Sequence, residues 1–151
     1  MKKFRFPLRS VATVRNIYEL RAREHFSRTV QDCIVADKAL ESLRARVAEL
    51  EQLLRSGRLE RFRPADQASF MDAFKDENLN AAKASAAAAA ARATMETARQ
   101  AWLQSRRDVR VIENLEQKRR AVHRSELERE NQAAMDDRAG AAAARSANQT
   151  S

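Results

Sequence analysis

The sequence predicts an all-α fold, a long antiparallel two-helix coiled-coil hairpin with a disordered C-terminal tail. Three observations predict it. The 151 residues include only 2 Gly and 2 Pro, where average usage supplies about 10 and 8, so a domain with several turns cannot be built. Charged residues make up 33% and aromatics 5% of the chain, and the β-branched residues are scattered instead of gathered into alternating runs, which removes sheets. Apolar residues, large before one mid-chain interval that holds a Gly and a Pro and mostly alanine after it, recur at coiled-coil spacing on both sides, the pattern of two helices that pair along a seam.

The first helix is expected over about residues 8–56. Pro7 suits the start of a helix and no Gly or Pro follows until Gly57, a natural C-terminal stop. Phe26, Cys33, Leu40, Val47 and Leu54 lie seven apart, and Ala36, Leu43 and Leu50 fill the alternate seam positions. Glu41, Arg44, Arg46, Glu49 and Glu51 flank them, a mixed-sign pattern suited to solvated faces. Upstream the apolar residues Val11, Val14, Tyr18 and Ala22 follow a 3-4-4 spacing, so the seam is expected to continue through them with a relaxed supercoil.

The turn is expected over about residues 57–66, with Asp66 as N-cap or first-turn acid of the second helix. That helix is expected over about residues 67–139. Its seam runs through Phe74, Ala81, Ala84, Ala88, Ala91, Met95, Ala98, Trp102, Val109 and Ile112, then shifts to Val111, Leu115 and Val122 and weakens to Leu127 and Ala134. Folding the chain about Arg61 sets Ala88 beside Ile34, Trp102 beside Leu20 and Tyr18, and Val109 beside Thr13. The second helix outruns the first, leaving a C-terminal stretch with Lys118, Arg119, Arg120 and Arg124 for a partner or for fraying. Residues 140–151 begin with Gly140 and continue with small and polar side chains, so a flexible tail is expected there.

The net charge of +8 points to an acidic partner. The excess belongs to the first half, with 15 basic and 8 acidic residues before Ala65 against 14 and 13 after it. A single cysteine, Cys33, and a start that breaks every apolar run within a residue or two fit a reducing cytoplasm. No stretch approaches the length of a membrane span. Lys2, Lys3, Arg5 and Arg9 with Phe4 and Phe6 combine basic and apolar side chains as an anionic membrane surface favours, without making a stable anchor.

Catalytic residues, cofactors and metals are not expected, and neither is a small-molecule substrate. A two-helix rod has little concavity, and the chain has no Gly-rich phosphate loop, no Cys-x-x-Cys and no His-Glu-x-x-His. Cys33 lies on the stripe and reads as a small core residue. Arg106, Arg107 and the run 118–120 interleave with Asp108, Glu113 and Glu116 and have no stacking aromatics beside them, which favours a solvated face over nucleic-acid binding. Near the turn, Phe70 and Phe74 share one helical face. Phe74 is on the seam, whereas Phe62 and Phe70 have little to be buried against, and exposed apolar groups at a hairpin tip mark a partner surface.

The opening Phe4-Arg5-Phe6-Pro7-Leu8-Arg9, followed by Val11, Val14 and Arg15, resembles the FliJ family of flagellar type III export proteins. So does the order of the later segments: a turn near the middle, Gln67-Ala68-Ser69-Phe70 with Phe74, Trp102 before Arg106-Arg107, Leu115-Glu116-Gln117-Lys118-Arg119, and Met135-Asp136-Asp137 before a small-residue tail. The resemblance covers nearly the full chain. It implies a coiled coil similar to the central stalk of rotary ATPases, whose open end enters the pore of a hexameric export ATPase and promotes ring assembly and hydrolysis. It also implies contacts with the membrane export gate and with export chaperones, at the cytoplasmic face of the inner membrane. On this resemblance Phe70 and Phe74, with Phe62 beside the turn, match gate-contact positions, and Val11, Arg15, Leu115 and Arg119 match segments that contact the ATPase ring. No role is transferred to residues 81–93 or to the tail. The alternative is a structural coiled-coil scaffold without an ATPase partner.

Overall fold

A computed structural model describes residues 3–56 and 63–149. Two helices account for nearly all of them, α1 over Arg9–Arg55 and α2 over Pro64–Gln149, in an all-α structure with no strand among the described residues. Leu8 caps α1, its carbonyl accepting from the Ala12 N–H at 2.9 Å. Arg63 caps α2 in the same way through the Gln67 N–H at 3.0 Å, so Pro64 takes the first helical position, where its missing N–H costs nothing. Asp66 is the acid of that first turn, favourably placed against the helix dipole. Helix α2 thus starts a few residues before the expected boundary. The expected turn at Gly57 and Phe62 lies outside the described residues.

The chain divides into two units, one of residues 1–17 and 106–151 and the other of residues 18–105. In the second unit α1 and α2 pack antiparallel. Arg46 pairs with Glu77 at 3.8 Å, Asp37 with Arg92 at 2.6 Å, and Glu19 with Trp102 at 2.8 Å, so α2 positions rise as α1 positions fall. Every seam residue expected of α1 from Phe26 to Leu54 is buried or half-buried, with Cys33 and Leu40 at the centre. On α2 the alanines face the same seam, and Ala88 is 1% exposed. Side chains of one carbon let the backbones approach closely there, and Leu40 and Cys33 supply the volume.

Trp102 departs from its expected neighbours. Leu20 and Tyr18 are both exposed; the indole stacks on Phe26, ring centroids 5.6 Å apart, and donates its Nε1–H to the Glu19 carboxylate. A half-buried indole N–H needs an acceptor, and Glu19 on the seam provides it. Ile34 is exposed too.

In the first unit residues 3–8 lie outside α1 and pack against α2. Helix α2 continues through Gly140 to Gln149. Space around Gly140 is open, and the described side chains after Leu127 are all exposed. Residues 141–144, all alanine, have the highest helix propensity, which accounts for helix where Gly140 would be expected to stop it.

Candidate functional site

Sequence spacing predicts that the seam of the first unit follows the apolar residues. The structure keeps the seven-residue phase instead, and the apolar residues leave it. On α1 the half-buried residues that continue the seam upstream of Phe26 are Ala12, Glu19 and Ala22, and on α2 the half-buried residues beyond Ile112 are Glu116, His123 and Leu127. Val11 and Val14 are 39% and 46% exposed, and Val111, Leu115 and Val122 are 57%, 41% and 55% exposed. At 100° per residue, each of these five turns off its seam to the same side. In an antiparallel pair that side is one shared face, so the first unit presents a band of uncovered apolar side chains drawn from both helices.

The four residues matched to ring contact all lie on or beside this face. Val11 and Leu115 belong to the apolar band. Arg15 occupies the seam phase at its edge and its Nη1 donates to Asp108 Oδ2 at 2.9 Å, both side chains remaining partly exposed. Arg119 lines a cleft with Arg5 and Arg9. Next to it, Arg120 makes a two-pronged contact with Glu116 Oε1, at 2.6 Å from Nη2 and 3.1 Å from Nε.

Phe4 and Phe6 have a role that sequence reading missed. Pro7 precedes the helix cap, and residues 3–6, outside any helix, alternate between exposed and covered. Phe6 is 7% exposed. The Phe4 ring meets His123 edge-on, centroids 5.5 Å apart, with the Arg120 guanidinium 5.3 Å over its face, a favourable cation–π geometry. Lys3 and Arg5, between and beside them, remain exposed. Both phenylalanines are therefore occupied in tying the N-terminal segment to α2, which removes the apolar half of the membrane-surface expectation. The signal was the two-residue alternation just before Pro7.

Beside the turn, Phe70 and Phe74 are half-buried on the seam phase, and Met71, one residue off it, is half-buried as well. Phe70 is thus less open than its place at the tip suggested, because it continues the seven-residue repeat of α2. Phe62, the third residue of that group, lies outside the described residues. Leu53, 38% exposed, borders a shallow cleft with Glu49, Gln52 and Ser56.

The remaining polar chemistry is local. Cys33 is buried, its Sγ 3.9 Å from Asp37 Oδ2. On the surface of α2, a hydrogen bond from Gln100 Nε2, with Arg99 nearby, holds the Glu96 carboxyl below its ordinary range. Among the described residues no cluster of His, Cys, Asp and Glu has the makings of a metal site, and no helix is long and apolar enough to cross a membrane.

No curated protein and no solved structure matches the chain. A family model does, that of the flagellar FliJ protein, over residues 4–148. The match begins at Phe4, whose ring ties the N-terminal segment down, and takes in both helices and the exposed face that they share. The chain belongs to the flagellar FliJ family, and with it to the proteins of flagellar export.

Proposed function

We propose that this chain is a non-enzymatic stalk of the flagellar export apparatus. Its first unit engages the hexameric export ATPase and promotes ring assembly and hydrolysis. Phe62, Phe70 and Phe74 meet the membrane export gate, escort of export chaperones is a second activity, and the protein works in the cytoplasm against the inner face of the membrane. The observation that supports this most is the apolar band of Val11, Val14, Val111, Leu115 and Val122, uncovered in the unit that also holds 15 basic and 8 acidic residues. Contiguous exposed apolar groups rimmed by charge mark a protein partner. A single asymmetric stalk inside a ring touches some subunits and not others, so it biases their conformations unequally, by as much as its differential contacts allow.

The test is ATP hydrolysis by the cognate export ATPase, titrated with this protein from substoichiometric to equimolar amounts. Stimulation should saturate at one chain per hexamer. Val11→Asp with Leu115→Asp changes exposed positions only, so it should abolish stimulation while leaving the circular dichroism spectrum unchanged. Phe70→Ala with Phe74→Ala should weaken capture by the gate and leave stimulation intact; equal loss of both reverses the assignment of the two surfaces. Absence of stimulation at every ratio, with both proteins folded, overturns the stalk and leaves the scaffold.

A further inference from the structure

The cleft between the N-terminal segment and α2 has a composition that the stalk reading does not use. It is an open surface cleft of about 740 Å³ lined by Phe4, Arg5, Phe6, Pro7, Arg9, Ser10 and Arg119. Three of these side chains are guanidinium-bearing and come from the N-terminal segment, α1 and α2, and the one carboxylate close by, Glu126, lines the adjoining cleft that shares Arg5 and Arg119. The sequence explains the imbalance. Residues 1–18 contain no acid at all, the first turn of α1 has none, and the Glu116 carboxylate is taken by Arg120. Among the described residues no ion pair reaches Arg5, Arg9 or Arg119.

Three like charges brought to one cleft repel each other, and the fold holds them there nonetheless. Phe6, buried, and Phe4, against His123 and Arg120, fix the segment on α2. Pro7 stiffens the bend between Arg5 and Arg9 by locking its own φ. The backbone that carries the three arginines is therefore held before any ligand arrives, so a ligand orders three side chains and not the segment that brings them together. Guanidinium groups match the oxygens of phosphate in paired, fork-to-fork hydrogen bonds, the Ser10 hydroxyl adds a donor, and a polyvalent anion cancels the mutual repulsion.

We infer that this cleft is a binding site for a phosphate group carried by a small soluble molecule or by a lipid headgroup, with Arg5, Arg9 and Arg119 as its ligating residues. The cleft shares Arg119 with the face matched to ring contact, but its test needs no ATPase, so the two readings fail separately. Pyrophosphate is titrated into the full chain by calorimetry at ionic strength matched with chloride, and in parallel the chain is sedimented with phosphatidylcholine vesicles with and without phosphatidic acid.

Saturable one-to-one binding of pyrophosphate, weakened about tenfold by Arg5→Gln, Arg9→Gln or Arg119→Gln, is the expected result, each charge-assisted bond being of that order. Arg44→Gln, which removes the same charge from an exposed position of α1, should change nothing. Phe6→Ala keeps all three arginines and frees the segment that positions one of them, so it should weaken binding as well, which a diffuse attraction to net charge would not show. Binding to phosphatidic acid vesicles with the same sensitivity identifies the lipid source, and pyrophosphate binding without vesicle binding identifies the soluble one. If neither probe binds beyond the chloride control, or if the three cleft variants and Arg44→Gln weaken binding alike, the site is refuted.

Discussion

Glu77 occupies a seam position of α2 with one carboxylate oxygen 3.8 Å from Arg46 Nη1 and the other, Oε2, buried without a hydrogen-bond partner. A buried acceptor left unpaired costs about 1–3 kcal/mol, and the ion pair on its other side is long and mostly solvated, so it returns little. Replacement by an apolar side chain of similar length removes the orphaned oxygen and continues the seam. Glu77→Leu is therefore expected to stabilise the chain by about 1 kcal/mol, read as a rise in the urea midpoint at unchanged slope. Glu19 is the opposite case. Its carboxylate is also on the seam, but it accepts from Trp102 Nε1 at 2.8 Å. Trp102→Phe keeps a ring to stack on Phe26 and deletes the donor, so it should cost about 1 kcal/mol in the same assay. If Trp102→Phe is neutral while Trp102→Ala destabilises, the stack alone holds that level of the seam. Two glutamates in equivalent settings thus differ in sign because one has found a donor.

At the level of elements, α2 changes character at Leu127. Before it, seam residues are covered by α1 or by the N-terminal segment; after it, the described side chains are all exposed. A helix that buries no face rests on propensity alone and lacks the tertiary packing that supplies most helical stability in proteins. Backbone amides beyond Leu127 should therefore exchange with solvent orders of magnitude faster than those around Ala88 and Ala98, the most buried alanines, and removal of residues 128–151 should leave the thermal midpoint nearly unchanged. Strong protection throughout residues 128–146 in the isolated chain would show a self-association that covers them. The bounds of α1 and the central seam were legible in the sequence because Phe26, Cys33, Leu40, Val47 and Leu54 mark the seam at constant spacing and the breakers are few, whereas α2 ran past Gly140, the stop expected of it. The upstream seam was not, since periodicity follows apolar residues and here Ala12 and Glu19 carry the phase while Val11, Val14, Val111 and Leu115 leave it. The candidate site grows out of that mismatch: the apolar residues were found, and the direction they face was not. Arg5 and Arg119 share a cleft only because Phe4 and Phe6 bend the N-terminal segment onto α2, a long-range contact that no local pattern encodes.

For the whole molecule, the excess of positive charge belongs to one structural unit. The first unit, made of both chain termini, holds 15 basic and 8 acidic residues, and the second, though longer, holds 14 and 13. A partner reached through the first unit meets a strong positive field, and one reached through the second meets almost none. That difference predicts how two partnerships respond to salt. Raising the ionic strength from about 0.05 to about 0.3 M shortens the Debye length from about 14 to about 6 Å, which screens steering by exposed arginines and leaves apolar burial untouched. The concentration of this protein that half-stimulates the export ATPase should rise several-fold over that range, while maximal stimulation stays constant, because the apolar band of Val11, Val14, Val111 and Leu115 still docks at saturation. Gate capture through Phe70 and Phe74, in the nearly neutral unit, should be flat in salt. Equal salt slopes for the two partners would mean that both use the first unit, and a flat response of ATPase stimulation would mean that the apolar band alone provides the affinity and the excess of arginine serves the phosphate cleft.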